Sequence, residues 1–172
     1  MRANDPNVAS EGGSGHRPLY TADQRRRRDS TRWTLVQGVL APVQFLIFLL
    51  SLALVLRYLG TGEGAFAATV SIVVKTLTLY VIMITGAIWE KVVFGQYLFV
   101  PAFFWEDVFS MLVLALHTAY LVALIGGFGT ERGRMLLALA AYAAYAINAA
   151  QFLLKLRAAR LQSPAPRMAV AG

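Results

Sequence analysis

Long apolar stretches separated by short polar ones dominate the chain. Leu35–Leu56 and Met135–Leu154 carry no charge, Ala65–Trp89 holds only Lys75, and Val108–Gly127 holds His117 but no Asp, Glu, Lys or Arg. A hydrocarbon core of about 30 Å needs about 20 helical residues, so each stretch predicts a membrane span. Pro42 lies inside the first and predicts a kink or a place in its first turns. Gly60–Gly64 (GTGEG) and Gly129–Arg134 read as short polar connections. The connection from Lys91 to Trp105, KVVFGQYLFVPAFFW, is too apolar for a solvated loop and too short to cross and return. It predicts an interfacial or re-entrant segment turned at Gly95 and Pro101, which survives only if protein or a polar cavity covers its backbone. The predicted fold class is all-α: an integral membrane four-helix bundle with that segment between helices 2 and 3. Residues 1–33 read as a disordered basic N-terminal tail, 34–157 as the membrane domain and 158–172 as a disordered C-terminal tail.

Composition narrows the class. Hydrophobic residues make up 58% and charged residues 15%, against about 45–50% and about 25% in soluble domains. A soluble fold of this size could not bury that much apolar surface. Cysteine is absent, which removes disulfides, thiolate metal sites and cysteine nucleophiles. The net charge of +7 lies in the two ends, because the acids and bases between residues 34 and 154 cancel. Arg25–Arg28 and Arg32 stand just before the first span, where positive residues set orientation and meet anionic lipid heads. They predict a lipid bilayer as partner, no nucleic acid, and both termini in the cytoplasm. The arginine-then-apolar order mimics a signal peptide, but the run is too long and starts too late.

Ionisable groups in or beside spans are costly and therefore functional candidates. Glu90 and Lys91 end the second span, and Glu106 and Asp107 begin the third. The apolar connection predicts that three carboxylates and one ammonium meet, flanked by Trp89, Phe103, Phe104 and Trp105. They also read as ordinary interfacial charges, with Glu106 and Asp107 at a helix N-terminus. A carboxylic acid in an apolar site beside a carboxylate keeps its proton to higher pH and can act as a general acid. His117 lies eleven residues after Glu106, on nearly the same helix face and roughly 16 Å deeper, with Ser110 between them. It reads as a histidine bonded to a neighbouring helix, a proton relay or a metal contact. Gln37, Gln44 and Ser51, then Ser71, Thr78 and Thr85, recur every seven residues. Tyr145, Asn148 and Gln151 line the last span. Such seams commonly join helices. Lys75 predicts snorkelling, a partner across the bundle or a cavity, and could meet His117.

No phosphate loop, dinucleotide fingerprint, zinc-protease or nucleophile-elbow motif is present. However, IWEKVVFGQYLFVPAFFWEDVFSMLVLALHTAYL (Ile88–Leu121) and TADQRRRRDSTRWTLVQGVLAPVQF (Thr21–Phe45) resemble the vinyl bacteriochlorophyllide hydratase family of anoxygenic phototrophs. The resemblance spans about residues 21–160. It implies a hydro-lyase of bacteriochlorophyll synthesis in the bacterial inner membrane. Such an enzyme adds water to the C3-vinyl group of a chlorophyllide or bacteriochlorophyllide and needs no separate cofactor, magnesium entering only with the substrate. For that chemistry Glu106 is expected as the acid, and Glu90 or Asp107 as the group orienting water. Trp89, Phe104, Trp105 and Asn148 would line the pigment slot. Lys91 would pair the propionate, and His117 would contact the substrate magnesium or relay protons. Competing readings are a pigment carrier or assembly factor using the same slot, and a small proton-coupled transporter suggested by Lys75 and His117. Self-association, or contact with other pigment-biosynthesis enzymes, stays open.

Overall fold

The computed structural model describes residues 19–161. Among these no strand forms, and the elements are α1 (Ala22–Ser30), α2 (Arg32–Thr61), α3 (Ala65–Phe94), α4 (Phe104–Ile125) and α5 (Glu131–Leu161). The last four are each long and apolar enough to cross a membrane. Every expected span is present as a helix, although α4 starts four residues before Val108 and stops two residues short of Gly127. Thr31 caps α2, its hydroxyl accepting from the Trp33 N–H. Gly62 ends α2 at φ 77° and Gly64 precedes α3 at φ 83°, left-handed conformations that suit glycine. α2 continues through Pro42 without a break in the helix.

α2 and α3 pack as one antiparallel hairpin and α4 and α5 as another, joined through α2–α5 and α3–α4 contacts. Gln37 Nε2 donates to Thr85 Oγ1 at 2.7 Å, and Ser51 bonds both Ser71 and Tyr142. Those members of the seven-residue seams do join helices. Thr78 instead donates to its own helix at Val74. At the end of the bundle holding the two tight hairpin turns, Val55, Ala68, Ile72, Tyr120, Met135 and Ala138 belong to one buried cluster. No more than 28% of any span is buried within the bundle. The outward residues include Leu35, Leu46, Leu50, Ile84 and Leu153, an apolar surface of the kind that lipid covers.

Two expectations about the ends change. Residues 22–30, expected inside a disordered tail, form α1. Thr21 and Gln24 make a reciprocal capping box there, and Tyr20 is buried against Phe94 and Phe103. The rest of the predicted N-terminal tail, residues 1–18, lies outside the described residues, as does 162–172. The C-terminal tail was expected from 158, whereas α5 continues to Leu161. Lys155, grouped with the tail charges from sequence, is consequently a helical residue of the bundle.

The 91–105 connection is shorter than expected, since Lys91–Phe94 belong to α3 and Phe104–Trp105 to α4. Residues 95–103 turn at Gly95 (φ 86°) and again from Pro101. Val100 and Phe103 are buried with Val93 and Tyr20, so this segment and the chain leading into α1 together close one end of the bundle.

Candidate active site

The closed end is where charge enters the apolar core. Glu90 sits one turn before the C-terminus of α3, and Glu106 and Asp107 lie in the first turn of α4. The segment 95–103 folds back between these helix ends, and all three carboxyls become buried, at 5–6% exposure. Asp107 Oδ2 accepts the Phe99 backbone N–H at 2.7 Å, and the Glu90 and Asp107 carboxyls are close enough to interact electrostatically. Glu90 Oε2 has no hydrogen-bond partner among the described residues. Glu106 is differently placed: Lys155 Nζ of α5 donates to its Oε2 at 2.6 Å, and that ammonium also lies 5.0 Å from the centre of the Phe103 ring. The site therefore has two halves, a facing pair of carboxyls and a carboxylate–ammonium pair.

The expected ammonium, Lys91, is not part of it. Its side chain is exposed and Nζ donates to the Gly95 carbonyl at 2.8 Å, closing the end of its own helix. Lys155 takes the place within the cluster. Sequence did hold a signal for this, because Asn148, Gln151 and Lys155 recur at three and four residues along one face of α5. Asn148 Nδ2 donates to Ser110 Oγ at 2.8 Å, directly above the Lys155–Glu106 rung. Phe99 was also missed; it has φ 58°, a left-handed conformation costly for an aromatic residue. No local sequence signal marks it, since a long-range bond to Asp107 holds it.

The aromatic residues divide. Trp89 is packed edge-on against Phe94 and Phe103. Its indole N–H donates to Thr34 Oγ1 at 2.9 Å, and Thr34 in turn donates to the Arg28 carbonyl. That chain of bonds ties α3 to α2 and α1. Phe104 and Trp105 point outward, Trp105 at 67% exposure, and Phe99 lies 5.9 Å from Phe104. These three make an open aromatic face beside the carboxyls. His117 is fully enclosed one helix turn beyond Val113. Its Nδ1 lies 2.8 Å from the Val113 carbonyl, and its ring is 5.8 Å from Tyr142. The structure thus brings Glu90, Glu106 and Asp107 together and leaves His117 deep in the bundle.

Buried carboxyls, one of them held by a cation, beside an exposed aromatic patch suit acid–base chemistry on a planar, greasy molecule. Comparison with known proteins agrees with that class of chemistry. Residues 20–158 match the family model described as 2-vinyl bacteriochlorophyllide hydratase (BCHF). The chain is 69% identical over 152 residues to the 2-vinyl bacteriochlorophyllide hydratase of Cereibacter sphaeroides, covering 87% of this chain and 93% of that protein. It is 68% identical over 145 residues to the protein of the same name from Rhodobacter capsulatus, covering 84% of each. No solved structure matches.

Proposed function

The chain belongs to the 2-vinyl bacteriochlorophyllide hydratase family, and from this we propose that it adds water across the C3-vinyl group of a chlorophyllide or bacteriochlorophyllide, giving a 1-hydroxyethyl group. It is then a hydro-lyase of bacteriochlorophyll biosynthesis, a multi-pass protein of the bacterial inner membrane with both termini in the cytoplasm.

A vinyl group conjugated to the macrocycle accepts a proton at its terminal carbon, and the resulting cation spreads into the ring. Water oxygen then bonds to the inner carbon and loses a proton to a base. One water is consumed, and the proton delivered is matched by the proton removed. The acid is assigned to the facing Glu90–Asp107 pair. Two neighbouring carboxyls in a buried site repel if both are ionised, so one proton between them is the favoured state. Glu106, favoured as the acid from sequence alone, takes the opposite part. With the Lys155 ammonium at 2.6 Å it is a carboxylate, suited to orient water and accept its proton.

The macrocycle is placed on the face formed by Phe99, Phe104 and Trp105, with Trp89 supporting that face from behind. Lys91 uses one donor on Gly95 and has others available for the substrate propionate. Asn148 acts through Ser110, one turn above Glu106. His117 lies eleven residues along α4 from Glu106, roughly 16 Å. That is farther than a chlorin's metal lies from its own vinyl group, so His117 is assigned to the bundle interior instead of the magnesium.

The observation that carries the proposal is the convergence of three buried carboxyls and Lys155 beside an open aromatic face. Incubating membranes containing the chain with a 3-vinyl chlorophyllide should yield a pigment heavier by one water. Tight pigment binding without that product would make the chain a carrier and overturn the assignment.

A further inference from the structure

Among the described residues several buried polar atoms in the bundle interior have no hydrogen-bond partner: Gln44 Nε2 and Oε1, Lys75 Nζ, His117 Nε2, Tyr120 Oη, Asn148 Oδ1 and Gln151 Oε1. Gln44, Lys75 and His117 are each at most 1% exposed. Native proteins pair nearly all such groups, because leaving them unpaired costs stability.

These atoms form a stripe that starts at the carboxyls. On α4, Glu106, Ser110 and His117 share a face; on α5, Tyr145, Asn148, Gln151 and Lys155 do. Two rungs join the helices, Lys155–Glu106 at 2.6 Å and Asn148–Ser110 at 2.8 Å. Further in, Lys75 Nζ lies 3.8 Å from the centre of the Tyr145 ring. Gln44 approaches from α2, one turn from Phe48, whose ring is 4.9 Å from that of Tyr145. Tyr145 is ten residues from Lys155 along α5, so the stripe is about 15 Å deep. Beyond it Val55, Ala68, Ile72, Tyr120, Met135 and Ala138 pack together, with the Tyr120 hydroxyl buried among them. At its carboxyl end the stripe adjoins the candidate active site.

The mixture of donors and acceptors selects the occupant. The Val113 carbonyl can only accept, so the His117 Nδ1 beside it carries the hydrogen and Nε2 presents a lone pair. Lys75 presents only donors, the two free amide oxygens only accept, and Gln44 does both. An anion would face the lone pairs of His117, Asn148 and Gln151, while a metal ion would face the Lys75 ammonium. Water satisfies both kinds at once. We propose that Gln44, Lys75, His117, Asn148 and Gln151 bind a file of internal water molecules, and that the water added to the vinyl group is drawn from it.

The delivery half rests on the hydratase reading. A flat pigment seated over the carboxyls excludes bulk water from that side, so the reacting water has to come from behind, through protein. Because the addition neither releases nor consumes a net proton, water is all that the stripe must carry.

The chain has no cysteine, so single cysteines can be read in membranes without background. Ser110→Cys, Asn148→Cys and the lipid-facing Leu50→Cys are exposed to silver ion, a water-soluble probe. The thiols left unblocked are then counted with a maleimide after denaturation. Silver should protect the two inner positions at least ten times faster than Leu50→Cys. Equal rates at all three would overturn the water site. Ser110→Cys changes a single atom and retention of its melting midpoint checks the fold, with Asn148→Cys as the second reading. This arm uses no pigment, so it stands apart from the hydratase assignment. For delivery, Lys75→Met and His117→Phe should each lower kcat about tenfold and leave KM for the pigment unchanged. Unaltered kcat in both would remove the delivery role even where silver enters.

Discussion

Replacing Lys155 by Met tests the division of labour among the carboxyls most directly. Among the described residues the change removes the only cation bonded to Glu106, whose side chain is 7% exposed, while the lysine side chain itself is 28% exposed. Breaking a fully buried pair by removing one partner costs about 3–5 kcal/mol. Here the lysine reaches solvent, and water screens part of the loss, so about 2–3 kcal/mol is expected, close to the range for hydrogen bonds to charged groups. If Glu106 is held as a carboxylate by this contact, a loss of that size in the transition state is a drop of roughly 30- to 150-fold in kcat. Lys155→Arg, which keeps the charge, should recover much of it. Hydration kinetics and melting midpoints in detergent are measured for Lys155→Met, Glu106→Gln and the double variant. In a double-mutant cycle the two should couple by more than about 1 kcal/mol, because once Glu106 is neutral the lysine has nothing to hold. Additive effects, or a Lys155→Met variant that turns over like the parent, would show that the ion pair only decorates the end of the bundle.

Three further outcomes follow from the same geometry. Glu90→Gln and Asp107→Asn should each lower kcat by at least about 100-fold with the protein still inserted, as measured by turnover alongside membrane fractionation; full activity in either would remove the facing pair as the acid. Trp105→Ala, at an exposed position, should raise KM without moving the melting midpoint, whereas Trp89→Ala should destabilise by about 3–5 kcal/mol because it removes a packed ring and the Thr34 bond; equal melting midpoints would contradict that partition. Phe99→Gly should stabilise the chain by about 1 kcal/mol, since glycine accepts the left-handed backbone at this site, yet weaken pigment binding through loss of the ring, both readable by thermal melting and KM.

Much of the fold was legible because hydropathy and helix length are local properties. Leu35–Leu56 and its three counterparts had to be spans, since no other element hides twenty apolar residues and pairs its own backbone in lipid. The order of charges likewise pointed to Glu90, Glu106 and Asp107, because the short apolar segment between them limits how far apart the two helix ends can lie. The helix over residues 22–30 was hidden by its polarity. ADQRRRRDS has no apolar face to read, and its order depends on the Thr21–Gln24 capping box and on neighbours such as Tyr20, which contacts Phe94 and Phe103.

What the chain determined alone was its solvent: an apolar bundle with its titratable oxygens at one end, and the wording of a family of pigment hydratases. Which cation meets which carboxylate was decided only when α5 packed against α4, setting Lys155 on Glu106 while Lys91 turned back to its own helix end. The same packing half-buried Trp89, left Trp105 open, held Phe99 in a left-handed turn and lined up Gln44, Lys75 and His117 from three different helices. A side chain's partner depends on the rotation and depth of a neighbouring helix. Those quantities are set by the summed packing of the whole bundle, whereas hydropathy accumulates residue by residue along a single stretch.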